Sequence, residues 1–218
     1  MAEQVLPQVQ ACLIRVGLLA VNGAPLPGVD NLYVSDALSE VTFNTVIKDG
    51  AVVEEENACG ALAVNYQGDP SIKWWDWGIT LVEADPFLES LFSGGTVLDL
   101  GGGVPPGFAM PAIGPIRSNG VSVELWAKRV LDGDVDPDFP YARWAFPKVK
   151  NLRPGDRTFN SGNQAPKFTG RALENTNWAD GPVNDWPAAS DRAGQWVPVT
   201  ADSLPEVSNG AFEELVAS

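Results

Sequence analysis

No histidine occurs in the 218-residue chain, and only 14 basic side chains stand against 28 acidic ones. Histidine is the usual proton shuttle near neutral pH and the commonest metal ligand. Its absence removes the ordinary Ser-His-Asp, Cys-His and His-metal mechanisms together. Carboxylate pairs, lysines and cofactors still leave routes to chemistry, but the weight moves toward architecture or binding. The net charge of −14 disfavours close phosphate binding by the surface as a whole, because DNA affinity comes from Lys and Arg displacing counterions. It leaves the opposite use open, an acidic surface that DNA passes without sticking. The only cysteines, Cys12 and Cys59, cannot build a disulfide framework, and no neighbouring His or Cys makes a zinc spacing. Both lie in apolar strand-like runs and read as buried free thiols. No stretch approaches the apolar length of about 18 residues that a membrane helix needs. The opening residues show no basic region followed by an apolar run, so no export signal is expected. A soluble protein made in a cytoplasm is the expectation.

What is present fits an all-β chain. Hydrophobic content is 44%, which excludes wholesale disorder, and 22 Gly with 18 Pro imply many turns. Residues 12–19 form an apolar run whose one charge is Arg15. Val41, Phe43, Thr45 and Ile47 alternate with Thr42, Asn44 and Val46, and Asp49-Gly50 reads as a turn. Residues 58–66 and 72–83 alternate on either side of Gly68-Asp69-Pro70 and read as adjacent antiparallel strands. In the second run Trp75, Trp77, Ile79 and Leu81 share a face. Asp85, Pro86 and the apolar spacing of Phe87, Leu88, Leu91 and Phe92, stopped by Gly94-Gly95, predict one short amphipathic helix. Further strands are expected at residues 121–127, 141–148 and 165–173, the last two around a Pro-Gly-Asp turn at 154–156. Beyond residue 175 the chain turns irregular, with a short helix expected at 212–216. About seven strands, one helix and a long arm predict a β-sandwich or β-barrel. The division is a sandwich domain over residues 1–175 and an arm over 176–218 that packs on the same domain or on a neighbouring subunit.

Three constellations carry possible chemistry. Residues 97–103, Val-Leu-Asp-Leu-Gly-Gly-Gly, resemble the first motif of S-adenosylmethionine-dependent methyltransferases, with Asp99 ending a strand and Glu124 spaced to hold a ribose. Such a turn should open a helix within a β-α-β unit, and here Pro105, Pro106 and Pro111 follow instead. Asp132, Asp134, Asp136 and Asp138 alternate as calcium ligands do, without the glycine and terminal glutamate of an EF-hand loop. A solvated loop or a subunit contact is the stronger reading. Trp74, Trp75 and Trp77 offer either a sugar-stacking platform or core filling.

Charge is distributed unevenly. Arg143, Lys148, Lys150, Arg153, Arg157, Lys167 and Arg171 fall in one stretch that holds a single acid, Asp156. With Trp144, Phe146, Phe159 and Phe168 interleaved, it reads as a nucleic-acid patch, as scattered surface charge, or as a face that pairs with acidic segments of an adjacent copy. A dipolar subunit favours head-to-tail assembly. Inter-subunit candidates are Arg143, Lys148, Lys150, Arg153 and Arg157 with Asp132, Asp134 and Asp136.

The run CLIRVGLLAVNG from residue 12, the segment NLYVSDALSEVTFNTVIKDGAVVEEENACGALAVNYQ from residue 31, and WWDWGITLVEADPFLESLFSGG from residue 74 together resemble the major tail (tail tube) proteins of long-tailed, siphovirus-type phages, especially those of actinobacterial hosts. The strand SNGVSVELWAKRV and the pair around NLRPGDRTF fit the same pattern, which covers most of residues 10–175. The resemblance implies a β-sandwich with a flanking helix, six copies joined into a ring, and rings stacked into a hollow tube through which DNA leaves the capsid. Residues 35–57 would correspond to a long loop that meets the next ring. The implied partners are further copies, the tape measure, distal tail and tail terminator proteins, and double-stranded DNA that passes without tight binding. The implied location is the virion, after assembly in the host cytoplasm. No enzymatic activity, cofactor or metal is expected. Candidates for a charged lumen are Glu40, Glu54, Glu55, Glu56, Glu83 and Glu124. The alternatives carried beside this are the methyltransferase and a Trp-rich carbohydrate-binding sandwich.

Overall fold

Strand alternation places apolar side chains on one face, and here the strands carrying that pattern line up around a shared interior. The computed structural model describes residues 8–56, 58–59, 62–114, 119–157, 165–183, 185–186, 192–208 and 210–215. The first half of the chain holds β1 (Gln8–Leu18), β2 (Gly28–Ser35), β3 (Leu38–Lys48), β4 (Val52–Glu56), β5 (Leu62–Gln67), β6 (Ser71–Leu81) and helix α1 (Pro86–Ser93). The second half holds β7 (Thr96–Leu98), β8 (Gly107–Ala109), β9 (Val121–Leu131), β10 (Asp134–Val135), β11 (Tyr141–Pro154), β12 (Lys167–Ala172), β13 (Gln195–Val199) and β14 (Glu213–Leu215). The large sheet runs β14-β2-β1-β9-β11-β12-β6-β3, with β10 added to β9 and β13 added to β11. All of its strand pairings among the described residues are antiparallel. It bends until β3 meets β1, giving an all-β, sandwich-like fold with one short helix among the described residues.

The interior of the bend is the main core. Ile14 and Val16 of β1, Trp77, Ile79 and Leu81 of β6, Val121, Val123 and Leu125 of β9, and Phe146 of β11 converge there. Trp75, Trp77, Ile79 and Leu81 thus share the inward face that their alternation requires. Helix α1 plugs this space with Phe87, Leu88, Leu91 and Phe92, all buried. Its start follows from Asp85, whose carboxylate accepts the backbone N–H of Phe87 and of Leu88 at 3.0 and 3.2 Å. Its end follows from Gly94, in the left-handed region at φ 80°.

The opposite face of the central strands is covered as well. Residues after 175 fold back across it, burying Trp178 and Trp186, and β13 adds to β11. Strand β9 is therefore buried on both sides, with Ser122, Glu124 and Trp126 facing this second layer.

Several sequence expectations are corrected. Residues 58–66 do not lie beside residues 72–83: β5 pairs with β4, and β6 lies between β3 and β12. Asp49-Gly50 and Gly68-Asp69-Pro70 are not reversals but the two sides of one joint, where β3–β6 gives way to the hairpin β4–β5. The Gly68 N–H donates to the Ala51 carbonyl at 2.9 Å, and a Cβ on Gly50 would lie 1.7 Å from the Gly68 carbonyl oxygen. The segment expected as a long loop at 35–57 is accordingly mostly strand over its described residues, 35–56. The helix expected at 212–216 is replaced over its described part by β14, which pairs with the open edge of β2, because five residues hold too few helical bonds to compete with a ladder. Cys12 is half-buried and Cys59 exposed, so neither is a core thiol.

Candidate functional site

The buried face of β9 removes two charges from the surface. Arg15 and Glu124 stand directly opposite each other in the β1–β9 ladder. The Arg15 Nε–H donates to Glu124 Oε2, and Arg143 donates to Oε1 from Nη2 and, at 3.1 Å, from Nε. Asp185 Oδ1 accepts from Arg143 at 2.7 Å and from Arg15 at 3.2 Å, closing a cluster of two cations and two anions. The Arg143 guanidinium also lies 4.7 Å from the Trp186 ring centre and 5.3 Å from that of Trp126. Burial alone would lower the Arg15 pKa, but Glu124 and Asp185 outweigh it and hold the value above the ordinary one. Glu124 is 1% exposed and Arg143 3% exposed, so neither faces a lumen or a neighbouring subunit. A lone charge in the apolar run 12–19 was the signal for this cluster, since such a charge needs a buried counterion.

Two further candidates are tied down by contacts within the chain. Asp136 is buried, pairs with Arg129 at 3.4 Å and accepts the backbone N–H of Asp138 and Phe139. The four alternating aspartates therefore do not converge on a common centre, and among the described residues no group of three acidic or cysteine side chains has metal-ligand geometry. Asp132 and Asp134 remain exposed at the β9–β10 turn. Arg157 pairs with Glu89, a helix residue 1% exposed, and so anchors α1 rather than a neighbour. Phe159 lies outside the described residues.

The glycine motif folds as a hairpin. β7 pairs antiparallel with β8, and Gly101, Gly102 and Gly103 sit at the tip with φ of 66°, 66° and 80° and open space around each. Asp99 accepts the Gly101 N–H at 2.8 Å, so its carboxylate closes the turn. Among the described residues the glycines are followed by strands β8 and β9 and by no helix, so the β-α-β context of a cofactor site is missing there. Of the tryptophans weighed as a sugar platform, Trp77 is core. Trp74 is stacked by Arg171 at 4.1 Å and by Lys73 at 4.3 Å and donates to Asp76 at 2.8 Å.

Two surfaces remain. The first is the arm β4–β5. Val52, Val53, Leu62, Val64 and Tyr66 are all exposed there, together with Glu54, Glu55 and Glu56. Paired residues share a face, so Val53, Glu55, Val64 and Tyr66 form one side, and Val52, Glu54, Glu56, Asn65 and Gln67 form mostly the other, with a register shift after Glu55 setting Leu62 opposite Glu56. No described residue covers either side closely enough to bury it.

The second surface is the outer face of β3, β6, β12 and β11. Its cross-strand rows are Asn44–Asp76–Arg171–Lys150, Thr42–Gly78–Thr169–Arg153 and Glu40–Thr80–Lys167. They enclose a groove of about 370 Å³ whose lining includes Thr42, Asn44, Asp76, Asn151, Arg153 and Arg171. Gly78 keeps the floor open, since a Cβ there would lie 2.8 Å from the Thr42 hydroxyl. Asn151 occupies the left-handed region, φ 54°, at the bulge where the β11–β12 register shifts, which turns Arg153 onto this face. Among the described residues Lys150, Arg153, Lys167 and Arg171 enter no ion pair. Half-buried Lys148 is lowered in pKa, first by desolvation and then by Lys150. Glu40 lies at the end of this face and Glu83 beyond β6, both exposed. Sequence reading missed Thr42, Asn44, Asp76, Asn151 and Thr169; the outward half of each strand's alternation was the available signal.

The chain matches no family model, and a search of curated proteins gave no match. No described helix is long and apolar enough to cross a membrane.

Proposed function

We propose that the chain is a structural subunit that joins copies of itself into stacked rings, hexameric by family resemblance, forming a phage tail tube that conducts DNA. The single observation that carries the reading is the β4–β5 arm, a two-stranded ribbon with apolar side chains exposed and little of its own to pack against. Such a ribbon is marginal in water. Each of its Val, Leu or Tyr side chains that a neighbour buries contributes about 1.5–3 kcal/mol. Strand β3 ends the large sheet and leaves an edge on which another sheet can add.

Charge supports the conduit role. A net charge of −14 per copy makes an assembled wall repel phosphate, and screening over about 8–10 Å confines the effect to the surface. Glu40, Glu54, Glu55, Glu56 and Glu83 are exposed and remain candidates for that wall.

Sedimentation velocity and negative-stain microscopy of the purified chain test the reading. Rings or tubes with a central channel are expected. A chain that stays monomeric at every concentration, with its arm protected from hydrogen exchange, overturns it, because the arm would then be stable uncovered.

A further inference from the structure

The rest of the molecule supplies a counterpart for the arm. We infer that the acidic side of the β4–β5 hairpin of one copy docks in the basic groove on the outer face of β11, β12, β6 and β3 of the next copy. The inference rests on the assembly reading and assigns the two halves of one contact.

Three observations favour this occupant. The first is charge. Glu54, Glu55 and Glu56 follow one another, and the arm from residue 49 to residue 70 holds no Lys or Arg. The groove carries Arg153 and Arg171, with Lys150 and Lys167 beside them, against Asp76 and Glu40. The second is spacing. Glu54 and Glu56 point to the same side of β4, roughly 7 Å apart along the strand. Arg153 opposes Thr169, and Arg171 lies two residues further along β12, a diagonal of about 7–8 Å. The backbone positions of two glutamates and two arginines are thus set at matching intervals. The third is shape. The groove is floored by Gly78 and lined by Thr42, Asn44, Asn151 and Thr169, which offer hydrogen bonds to Asn65 and Gln67 on the same side of the arm.

Intramolecular ion pairing does not use up these charges, although the Arg171 guanidinium also stacks on Trp74. None of Glu54, Glu55, Glu56, Arg153 or Arg171 enters an ion pair among the described residues. A contact between different patches is heterologous, so repetition gives rings or open stacks rather than a closed dimer. It also takes Glu54 and Glu56 out of the set that would line a channel.

The test is a charge swap in the full chain. E54K/E56K and R153E/R171E should each raise the concentration needed for assembly by roughly a hundredfold. The quadruple variant carrying both pairs, and an equal mixture of the two double variants, should assemble again near the wild-type concentration. Thermal melting checks that every variant is folded. If both double variants assemble like wild type, or the quadruple variant does not recover, the docking assignment falls while the assembly reading stands. If the wild-type chain never assembles and its arm is protected from hydrogen exchange, both fall together. A R153E/R171E chain that assembles normally but loses retention of double-stranded DNA assigns the groove to phosphate and likewise overturns the inference.

Discussion

Replacing Glu124 by Gln keeps the shape of the side chain and removes its charge. In the structure Glu124 Oε1 and Oε2 both accept from guanidinium groups, and the site is closed to water at 1% exposure. The amide that replaces one oxygen points a donor at a donor. Arg15 and Arg143 are then left with Asp185 as their one shared carboxylate. Removing one partner of a buried pair costs about 3–5 kcal/mol, a large part of the roughly 5–15 kcal/mol that holds a domain folded. For a chain of this length that lowers Tm by about 6–20 °C. Urea denaturation and calorimetry of E124Q read the loss directly. The companion variant R15M/E124L/R143M removes the charges together and leaves Asp185, 43% exposed at its side chain, to turn toward water. It should recover to within about 1 kcal/mol of wild type, because apolar replacements avoid desolvating two cations and an anion. An E124Q chain within about 1 kcal/mol of wild type refutes the reasoning and reopens Glu124 as a surface charge.

Acid should loosen the same cluster from its exposed end. Burial pushes the Asp185 carboxyl up, but the Arg143 hydrogen bond and the Arg15 and Arg143 charges outweigh it and hold the pKa below the ordinary value. The stability this contributes is complete above the unfolded-state pKa of about 3.9 and is lost as pH falls through the lower folded value. D185N should therefore flatten the acid limb of a stability-against-pH curve below about pH 4, and an unchanged limb counts against it. D85A removes the cap of α1 and should cost about 1–2 kcal/mol by urea denaturation, with loss confined to the helix end in hydrogen exchange. W178A empties a site that is 0% exposed and should cost about 3–5 kcal/mol. A small effect there would show that residues after 175 contribute little to the folded body.

The strands around the main core were legible because one rule, period-two alternation, governs both the pattern and the packing. Trp75, Trp77, Ile79 and Leu81 could be assigned a face with no knowledge of their partners. The helix was legible from Asp85, Pro86 and Gly94, whose effects are local. The outer face of β9 was not. Glu124 and Trp126 look like a solvated side until Asp185, Val199 and Leu204 arrive from distant sequence to close the charge cluster and pack on the ring. The pairing of β5 failed for a related reason. Gly68-Asp69-Pro70 is chemically a turn signal, and only the approach of Gly50 turns it into a joint. The groove draws two or three residues from each of four strands, so only its basic part, Arg153 and Arg171, stood out in one segment.

The arm differs from the rest of the chain in a way that bears on what it meets. β9 is covered on both faces, whereas β4 and β5 are exposed along nearly their whole length. Exposed Val, Leu and Tyr on a two-stranded ribbon invite pairing with an identical ribbon, the route to fibres. Three consecutive glutamates on β4 oppose that outcome, because two such strands brought edge to edge would set like charges against each other. A basic surface has no such conflict with them. The sequence of β4 therefore works against the symmetric contact and leaves a head-to-tail one open, while the opposite side of the arm, with Val53, Val64 and Tyr66, is left to bury its apolar area elsewhere in the assembly.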